Sequence, residues 1–292
     1  MFAIIVNPVS GSHADEQLTD KLIAEIQLRG HSARLFPTEC KGDATAKTRQ
    51  TLAEGYTSIV GVGGDGTLSE IVEGMGGSDA TLYIVPCGTG NDFARAFGLP
   101  KDPIAAFKAQ LDGERHAYDC LTVNGRPFLN IGGSGFDVEV LRKTEELKAI
   151  YPGEKAYTKA VLETLTKYKP NEIELTIDGA APTHERCTII EVANGKFFGG
   201  GMLVAPGSVA DDGLIDVVVV DMVPHWAIPF LLPLFVKGWH VHLPICRVVR
   251  AKHVVLRAKG MTINIDGRLE PMDEAEFGII PGGLMMMTPA KA

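Results

Sequence analysis

Two glycine-rich turns, each with an aspartate and each after an apolar run, are the segments most suited to chemistry. The first reads Gly63-Gly-Asp-Gly-Thr67, and the second carries Thr89, Asn91 and Asp92. Glycine lets the backbone approach a ligand closely and point its N–H groups at oxyanions. The threonine hydroxyls add donors, and Asp65 and Asp92 could hold a hydrated metal ion. The two turns together predict a metal–phosphate site.

A third polar loop, Asn7-Pro-Val-Ser-Gly11, follows the first apolar run. The side chains of Asn7 and Ser10 can hydrogen-bond phosphate or ribose, and a helix N-terminus after Gly11 would favour an anion. The loops also have a purely structural interpretation. Strand-to-helix turns use the same residue types for capping, so Asp65 and Asp92 could simply cap the helices that begin beside them.

Apolar runs alternate with helical patterns over the first half of the chain. The predicted strands are Phe2–Val6, Ser32–Phe36, Ser58–Val62 and Thr81–Val85. The predicted helices are Ala14–Arg29, Ala44–Glu54, Thr67–Met75 and Ile104–Gln110. This alternation predicts a parallel, doubly wound sheet. Ligands of such sheets bind at the carboxyl ends of the strands, which is where all three loops lie.

The second half has many short β-like runs separated by Gly, Pro and Asp-Gly turns. The predicted strands are Ala117–Val123, Arg126–Ile131, Glu172–Ile177, Arg186–Ala193, Ile215–Val220, His253–Ala258, Met261–Ile265 and Phe277–Ile280. The helical patterns are Val138–Leu147 and Tyr157–Lys167. Such a series predicts a mainly antiparallel β-sandwich or curved sheet. The fold class is therefore α/β with two domains, 1–123 and 124–283, and the last strand, 284–292, could return to the first domain.

The composition argues against several classes of protein. A net charge of −8 is unlike a nucleic-acid binder, which normally carries a basic face. The five cysteines are scattered, odd in number and without C-x-x-C spacing, which is typical of reduced thiols rather than of disulfide or zinc frameworks. The amino terminus has no basic region before Asn7-Pro8. We therefore expect no signal peptide and a cytoplasmic protein.

One apolar segment, Met222–Val236, carries no Asp, Glu, Lys or Arg. It is shorter than the ~20 residues that a membrane-spanning helix needs, and Pro224, Pro229 and Pro233 interrupt it, so we expect no membrane span. Two interpretations stay open for the overlapping segment Trp226–Trp239. The segment could pack on the β-rich domain as a core helix, or it could form a lipid-facing lip with Lys237 near anionic headgroups.

Taken together, the loops resemble those of a known family. The motifs are Asn7-Pro-Val-Ser-Gly11, Gly63-Gly-Asp-Gly-Thr67, Pro86-Cys-Gly-Thr-Gly-Asn-Asp-Phe-Ala-Arg95, Gly200-Gly-Met202, Asp211-Asp-Gly-Leu214 and Pro281-Gly-Gly-Leu284. The combination resembles the bacterial diacylglycerol kinase-like lipid kinases over nearly the whole chain. The Gly-Gly-Asp-Gly-Thr motif alone is shared with NAD kinases, so the specificity of the resemblance lies in the set.

The resemblance implies an ATP- and Mg²⁺-dependent transfer of the γ-phosphoryl group to the hydroxyl of diacylglycerol or a related lipid. It also implies a nucleotide domain, a β-rich acceptor domain and a site in the cleft between them. By match to the family motifs, the residues that would contact nucleotide are Thr38, Gly63, Gly64, Asp65, Gly66, Thr67, Leu68, Ser69 and Thr89. The loop side chains of Asn7, Ser10, Asn91 and Asp92 complete the candidate nucleotide and metal site.

A second, structural Mg²⁺ is implied by the resemblance at the Asp-Gly turn. The carboxylate of Asp212 and the carbonyls of Val209 and Leu214 would hold it, and oxygen ligands of this kind suit a hard cation. Without the resemblance, Asp212-Gly213 is equally well explained as a hairpin turn.

Phosphoryl transfer requires charge neutralisation and a base for the acceptor hydroxyl. Asp65, Asp92 or both could organise the catalytic Mg²⁺ through water. The family places its base in a late Asp-Gly-Glu turn, which here reads Asp266-Gly-Arg-Leu-Glu270. Arginine cannot act as a base at physiological pH. A two-residue shift would let Glu270 serve, and Asp266 is otherwise the nearest carboxylate.

Three functions therefore stay open. We favour a cytoplasmic lipid kinase that associates peripherally with the membrane surface, where its lipid substrate lies. The alternatives are an NAD kinase-like enzyme with a soluble acceptor, and a nucleotide- or lipid-binding protein without kinase activity, which Arg268 would favour. A homodimer formed through an edge strand also stays open.

Overall fold

The computed structural model describes residues 1–11, 16–148, 150–151, 154–165, 168–170 and 172–290. Three predicted elements extend beyond these ranges. Residues 14–15 of the helix predicted at Ala14–Arg29, residues 166–167 of the helix predicted at Tyr157–Lys167 and residues 291–292 of the last predicted strand lie outside the described residues.

The first half forms a parallel sheet with helices on both faces. Its strands are β1 (Phe2–Val6), β2 (Ala33–Pro37), β3 (Ser58–Gly63) and β4 (Thr81–Pro86), which pair in the order β2-β1-β3-β4. Its helices are α1 (Glu16–Leu28), α2 (Asp43–Ala53), α3 (Asp65–Met75), α4 (Asp92–Ala96) and α5 (Pro103–Leu111). Side chains alternate between the faces of a strand, so Ile4 and Ile5 enter two different apolar cores. Burial on both faces explains why these strands are continuous apolar runs.

The second half is an antiparallel β-sandwich with two helices beside it. Its strands are β5 (Glu114–Val123), β6 (Arg126–Phe128), β7 (Ile131–Gly135), β8 (Glu172–Ile177), β9 (Thr183–Ala193), β10 (Phe197–Phe198), β11 (Met202–Leu203), β12 (Ile215–Asp221), β13 (Cys246–Ala251), β14 (His253–Arg257), β15 (Thr262–Ile265), β16 (Arg268–Pro271) and β17 (Glu274–Thr288). The helices are α6 (Phe136–Lys148) and α7 (Glu154–Leu165). The long strand β9 pairs with β8 at its start and with β7 and β12 further on, so it joins the two layers. Val217, Ile263 and Phe277 lie in the core between them.

Two long strands connect the halves. β17 pairs with β5 over almost its whole length, and its Met285 and Met286 also pair in parallel with Thr81 and Leu82 of β4. The last strand therefore extends the first sheet by one strand. The domain boundary near Val123 stays a proposal, because β5 and β17 run through both halves.

Several predicted elements differ in the structure. The single predicted strand Arg126–Ile131 is two strands, β6 and β7, because the backbone between them turns its N–H groups to Asp266. The strand predicted at Phe277–Ile280 is the middle of the longer β17. Strands β13 and β16 were not predicted, since their short polar and charged sequences lack a clear alternating pattern.

The apolar segment after β12 forms a 3₁₀ turn at His225–Ala227 and a short helix, α8 (Ile228–Val236). Ile228 is buried against α6 and α7, whereas Trp226 and Phe230 are each 73% exposed. One side of the segment therefore packs as the core interpretation predicts, and the other side is open as the lip interpretation predicts. Among the described residues, every helix is too short or too polar to span a membrane.

Candidate active site

The three polar loops lie side by side because β1 pairs with β3 and β3 with β4, all in parallel. Two hydrogen bonds join the first loop to the second. Asn7 Nδ2 donates to Thr67 Oγ1 at 3.2 Å, and the Gly64 N–H donates to Ser10 Oγ at 3.0 Å. The first loop is therefore fixed to the start of α3 by side chains that the sequence had assigned to a ligand.

Close backbone contact explains two of the glycines. Gly11 has a φ of +65°, and a Cβ atom there would lie 1.9 Å from the carbonyl oxygen of Cys87. A Cβ atom on Gly64 would lie 3.0 Å from the Cα atom of Gly88. Glycine is needed at both positions because the three loops pack backbone to backbone.

A cleft of about 510 Å³, here called the loop cleft, opens beside these loops. The predicted nucleotide-contacting residues that line it are Asn7, Ser10, Thr38, Gly64, Gly66 and Thr67. Lys41, Glu70 and Arg268 line it as well. Glu70 is already engaged, since its carboxylate accepts the N–H groups of Gly42 and Ala44 at 2.9 and 3.3 Å.

Other predicted nucleotide contacts lie elsewhere. Gly63, Leu68 and Ser69 are buried beneath the cleft, and the Leu68 side chain packs in the apolar core. The Asn91 amide folds back on its own loop, where it exchanges two 2.8 Å hydrogen bonds with Gly88. Thr89 is exposed in the same loop. The side chains of Leu68 and Asn91 are therefore engaged within the protein, and the prediction that these two residues contact nucleotide stays a prediction.

The Asp65 carboxylate bridges the second and third loops. Its two oxygens accept the N–H groups of Asp92 and Phe93, each at 3.1 Å. It therefore caps α4, whereas its own helix α3 has no side-chain cap. The sequence had suggested that Asp65 caps α3, the helix beside it. It caps α4 instead, which lies far away in the sequence and could not be paired with Asp65 from local patterns.

Asp92 is 5% exposed and connects the third loop to the second half of the chain. Its Oδ2 accepts the N–H of Gly200 at 2.8 Å, so it does not cap α4. Its Oδ1 is buried and has no hydrogen-bond partner within the described part of the chain. Burial raises the pKa of Asp92 to about 6, with a smaller contribution from the nearby Asp65 and a partly opposing one from the Gly200 N–H. A buried oxygen left free in this way fits a hydrated cation or a hydroxyl donor.

Asp266 is held in the turn after β15. Oδ2 accepts the N–H of Leu129 at 2.7 Å, and Oδ1 accepts those of Asn130 and Ile131 at 2.9 and 3.1 Å. Burial raises the pKa of Asp266, and hydrogen bonds from Ser69 and these backbone groups lower it in part. Asp266 thus couples the turn to α3, through Ser69, and to the sandwich.

The two residues after this turn face different surroundings. Glu270 ion-pairs with Arg126 on β6, so the prediction that it serves as the base has no support from its contacts. Arg268 enters the loop cleft, where it lies 3.2 Å from the Glu73 carboxylate and 3.4 Å from Ser69 Oγ. Its Nε is buried without a partner in the described ranges. The residue that departs from the family pattern therefore places a cation beside the predicted phosphate loops.

The turn predicted to hold a structural Mg²⁺ does not offer a free carboxylate. Asp212 Oδ2 ion-pairs with Arg250, and Oδ1 accepts the N–H of Leu214 at 3.1 Å. The side chain of Val209 is 45% exposed. A cation here would have to displace Arg250, so the residues do not fit Mg²⁺ in this arrangement. Over the residues that the structure describes, no group of three or more His, Cys, Asp or Glu side chains forms a metal cluster.

A second pocket, here called the polar pocket, is lined by both Asp65 and Asp92. It has a volume of about 190 Å³. Its polar lining residues are Asp65, Asp92, Asn130, Asp137, Tyr157, Asn264 and Asp266. Asp137 is 7% exposed, and its Oδ2 accepts a 2.9 Å hydrogen bond from Asn264 Nδ2.

A third pocket, the apolar pocket of about 80 Å³, shares Asp137, Tyr157 and Phe198 with the polar pocket. Its remaining lining is almost entirely apolar and comes from α6, α7, β11, β12 and α8. Asp137 therefore lies at the junction of the polar pocket and the apolar pocket. The sequence analysis missed this residue, although its place at the end of the glycine-rich strand β7 was a signal of the kind used for the other loops.

Comparison with known proteins agrees with this architecture. The profile of the diacylglycerol kinase catalytic domain matches residues 1–123, and that of the YegS C-terminal NAD kinase beta sandwich-like domain matches residues 131–288. The chain is 30% identical to a diacylglycerol kinase of Mycobacterium tuberculosis over 98% of this chain and 94% of that protein. It is 29% identical to a diacylglycerol kinase of Bacillus subtilis over 94% and 91% of the two chains.

A crystal structure of a diacylglycerol kinase from Bacillus anthracis has the same fold, with a TM-score of 0.73 and 22% identity over 98% of this chain and 96% of that one. The family profiles and the curated relatives define the class of protein as a kinase. The chain belongs to the diacylglycerol kinase catalytic-domain family and is a lipid kinase.

Proposed function

We propose that this protein transfers the γ-phosphoryl group of ATP to the hydroxyl of a diacylglycerol-type lipid, with Mg²⁺ as cofactor and a phosphatidic acid-type product. The observation that carries the proposal is that three compartments are lined by neighbouring residues. Gly64 and Gly66 line the loop cleft, Asp65 between them lines the polar pocket, and the polar pocket shares Asp137, Tyr157 and Phe198 with the apolar pocket. Donor, reacting hydroxyl and acyl chain would each have a compartment of matching polarity.

The phosphates of ATP would lie in the loop cleft. Asn7, Ser10 and Thr38 line it, and Gly66 lines it in the first turn of α3, where a backbone N–H can serve an oxyanion. Arg268 would supply the positive charge that a triphosphate requires. Its guanidinium is only partly neutralised, since Glu73 is its one carboxylate partner among the described residues.

Mg²⁺ fits beside Asp92 rather than at Asp212. Asp92 has a buried carboxylate oxygen without a hydrogen-bond partner of normal geometry among the described residues, and Asp65 accepts the backbone N–H of Asp92. When bound, the ion would neutralise charge on the transferred phosphoryl group. Asp65 would act as a positioning residue, because both of its oxygens are used by backbone N–H groups.

Asp266 is the carboxylate that we assign to the acceptor proton. It lines the polar pocket, where its carboxylate accepts hydrogen bonds from backbone N–H groups and from Ser69. A buried carboxylate with a raised pKa is a stronger base than an exposed one. Glu270 is a weaker candidate for this role because it ion-pairs with Arg126.

The exposed apolar side of the α8 segment would rest on the lipid surface. Trp226 and Phe230 are each 73% exposed, and Lys237 lies 4.8 Å from the ring of the exposed Trp239. Aromatic side chains beside a cation suit the interface of an anionic bilayer. Peripheral membrane association and a homodimer both stay proposals.

The experiment is product identification. Purified protein would be incubated with ATP and Mg²⁺ and with diacylglycerol, a total lipid extract or NAD as acceptor, and the products analysed by mass spectrometry. We expect a phosphorylated lipid. Phosphorylation of NAD instead would favour the soluble-acceptor alternative, and ATP binding without any product would favour a protein that only binds nucleotide.

A further inference from the structure

The turn Asp211–Leu214 is attached to both of the long strands that connect the halves of the chain. Asp119 of β5 accepts the N–H of Gly213 at 2.6 Å and that of Gly282 in β17 at 2.9 Å. The N–H of Asp119 in turn donates to the carbonyl oxygen of Ala210 at 2.8 Å. The position of this turn therefore affects how the two halves are held together.

One guanidinium serves two carboxylates beside the turn. Arg250 lies on β13, directly opposite Asp216 on β12. Its Nη2 ion-pairs with Asp212 Oδ2 in the turn, and its Nε lies 3.8 Å from Asp216 Oδ1. The remaining oxygen of Asp212 accepts the N–H of Leu214 at 3.1 Å. That of Asp216 accepts the hydroxyl of Ser208 at 2.7 Å, so both carboxylates are engaged at both oxygens.

These carboxylates need a positive charge close by. Asp119 and Asp216 are each 4% exposed, and a buried carboxylate is stable only beside a cation or strong donors. Backbone N–H groups satisfy Asp119, whereas Asp212 and Asp216 share Arg250 as their ion-pair partner. A divalent cation could neutralise the same pair through oxygen ligands, and a guanidinium does so through a planar fork of N–H donors.

The strand register keeps the guanidinium in place. The neighbours of Arg250 on β13, Val249 and Ala251, pack in the core of the sandwich. Arginine stays protonated at physiological pH, and its charge is covalently attached to the chain. A chelator can therefore remove a bound metal ion but not this charge. An incoming metal ion would bind Asp212 only at the expense of its ion pair with Arg250.

We propose that Arg250 takes the place of the structural Mg²⁺ that the family resemblance implies at this turn. The guanidinium holds the turn without metal, so the stability of the chain does not depend on a cation here. Removal of Arg250 opens a site for a divalent cation at Asp212, with the carbonyls of Val209 and Leu214 as further ligands. The inference concerns the joint between the halves and goes beyond the proposed lipid kinase function.

Thermal unfolding without nucleotide tests the inference. All proteins carry Asp92→Asn, because that change removes the carboxylate proposed to hold the catalytic cation. With Arg250 in place, the melting temperature at neutral pH should be the same in EDTA, in Mg²⁺ and in Ca²⁺. Arg250→Ala should melt at a lower temperature in EDTA. It should recover by about 3 °C or more on addition of either cation, since a ligand that binds only the folded state stabilises it by mass action.

Arg247→Ala is the matched control. Arg247 lies on the same strand, is half-exposed like Arg250 and ion-pairs with Glu185. Arg247→Ala should also lose stability in EDTA, but neither cation should restore it. A double variant, Arg250→Ala with Asp212→Asn, should lose the recovery, because the carboxylate released by the arginine is then replaced by a neutral amide.

Three results would overturn the inference. The first is a protein with Arg250 in place that loses stability in EDTA and regains it with Mg²⁺ unless Asp212→Asn is present, since a cation would then bind beside the arginine. The second is an Arg250→Ala variant that neither cation stabilises. The third is an equal recovery of Arg247→Ala, which would show a general salt effect. If Arg250→Ala does not fold, Arg250→Gln keeps much of the side-chain length, removes the charge and has the same expected outcomes.

Calorimetric titration with Ca²⁺ gives a second readout. We expect one more binding site in Arg250→Ala than in the protein with Arg250 in place, and equal stoichiometry would contradict the inference. Neither measurement requires turnover. A protein that fails to phosphorylate lipid would therefore leave this inference standing, and failure of the inference would leave the lipid kinase function intact.

Discussion

The carboxylate of Asp65 accepts the backbone N–H of Asp92 at 3.1 Å, which joins the two glycine-rich turns into one unit. One aspartate thus fixes the backbone of the other, whose side chain retains a free buried oxygen. This division of roles explains why two similar Asp-containing turns are needed. Asp65 orients the third loop, and Asp92 presents its carboxylate to the space between the two halves.

Asp65→Asn should lower kcat by about 100-fold or more, since a displaced α4 would move Asp92 away from its position. Loss of a helix cap should also reduce the free energy of unfolding by roughly 1 kcal/mol. Asp102→Asn is the matched control, because Asp102 caps α5 through a 2.7 Å hydrogen bond from the Ala105 N–H. It should show a similar loss of stability in urea unfolding and unchanged turnover. Equal turnover in both variants would contradict the role of Asp65.

Asp266→Asn should reduce kcat by about 10²–10⁴-fold, the usual contribution of a general base. Asp178→Asn provides the control: Asp178 also has a positive φ, and its Oδ1 also accepts two backbone N–H groups, from Lys252 and His253. Both variants should lose similar stability, while only Asp266→Asn loses activity. A large effect of Glu270→Gln with a small effect of Asp266→Asn would reverse the assignment.

Arg268→Gln should raise the KM for ATP by about tenfold or more, since a charge-assisted contact to phosphate contributes roughly 1.5–3 kcal/mol. The KM for the lipid should stay constant. Arg257→Gln is the control: Arg257 is half-exposed on β14 and pairs with Glu174 and Glu274 at 3.2 and 2.7 Å. Calorimetric titration with ATP and with AMP would show whether the loss depends on the β- and γ-phosphates. If both nucleotides weaken equally, Arg268 acts on the fold rather than on phosphate.

The raised pKa of Asp92 predicts that the free energy of unfolding depends on pH. Its folded pKa of about 6 lies above the ordinary value of 3.8, so the folded state binds the proton more tightly than the unfolded state. The resulting stabilisation is fully present below about pH 4 and is lost as the pH rises to about 6. With metal chelated, Asp92→Asn should therefore be more stable than the native protein at pH 7.5, and this difference should shrink at pH 4.5. Urea unfolding at the two pH values measures it, and a constant difference would contradict the raised pKa.

The exposed aromatic residues make a prediction about membranes. Replacing Trp226 and Phe230 by Ser should lower binding to anionic vesicles by about tenfold or more, because each large side chain can contribute roughly 1.5–3 kcal/mol on burial. Leu28→Ser is the control, since Leu28 is 79% exposed on α1 of the other half. Vesicle sedimentation gives the affinities. Unchanged binding in the double variant would show that another surface meets the lipid.

The strands that could be predicted from the sequence were those with a regular pattern of apolar residues. The strands around Ile4, Val60 and Ile84 are continuous apolar runs followed by glycine or proline, and their positions agree with the sequence patterns within a residue or two. β16 could not be found in this way, because Arg268-Leu-Glu-Pro271 is short and charged and owes its conformation to pairing with β15.

The site was predictable in its loops but not in its cross-contacts. The sequence identified the segments around Asp65 and Asp92, yet it gave no sign that one would cap the helix of the other. Arg268 forms an ion pair with Glu73, and Asp137 interacts with Glu191. Both partners lie far away in the chain. Such pairs depend on how the two halves are joined by β5 and β17, which local patterns do not specify.

Transfer of labelled γ-phosphate from ATP to diacylglycerol by the purified protein tests the central claim most directly. We predict that label appears in the lipid fraction only when Mg²⁺ is present, and that Asp92→Asn removes it while Asp102→Asn does not. Absence of label from every lipid acceptor, with ATP binding intact, would contradict the account.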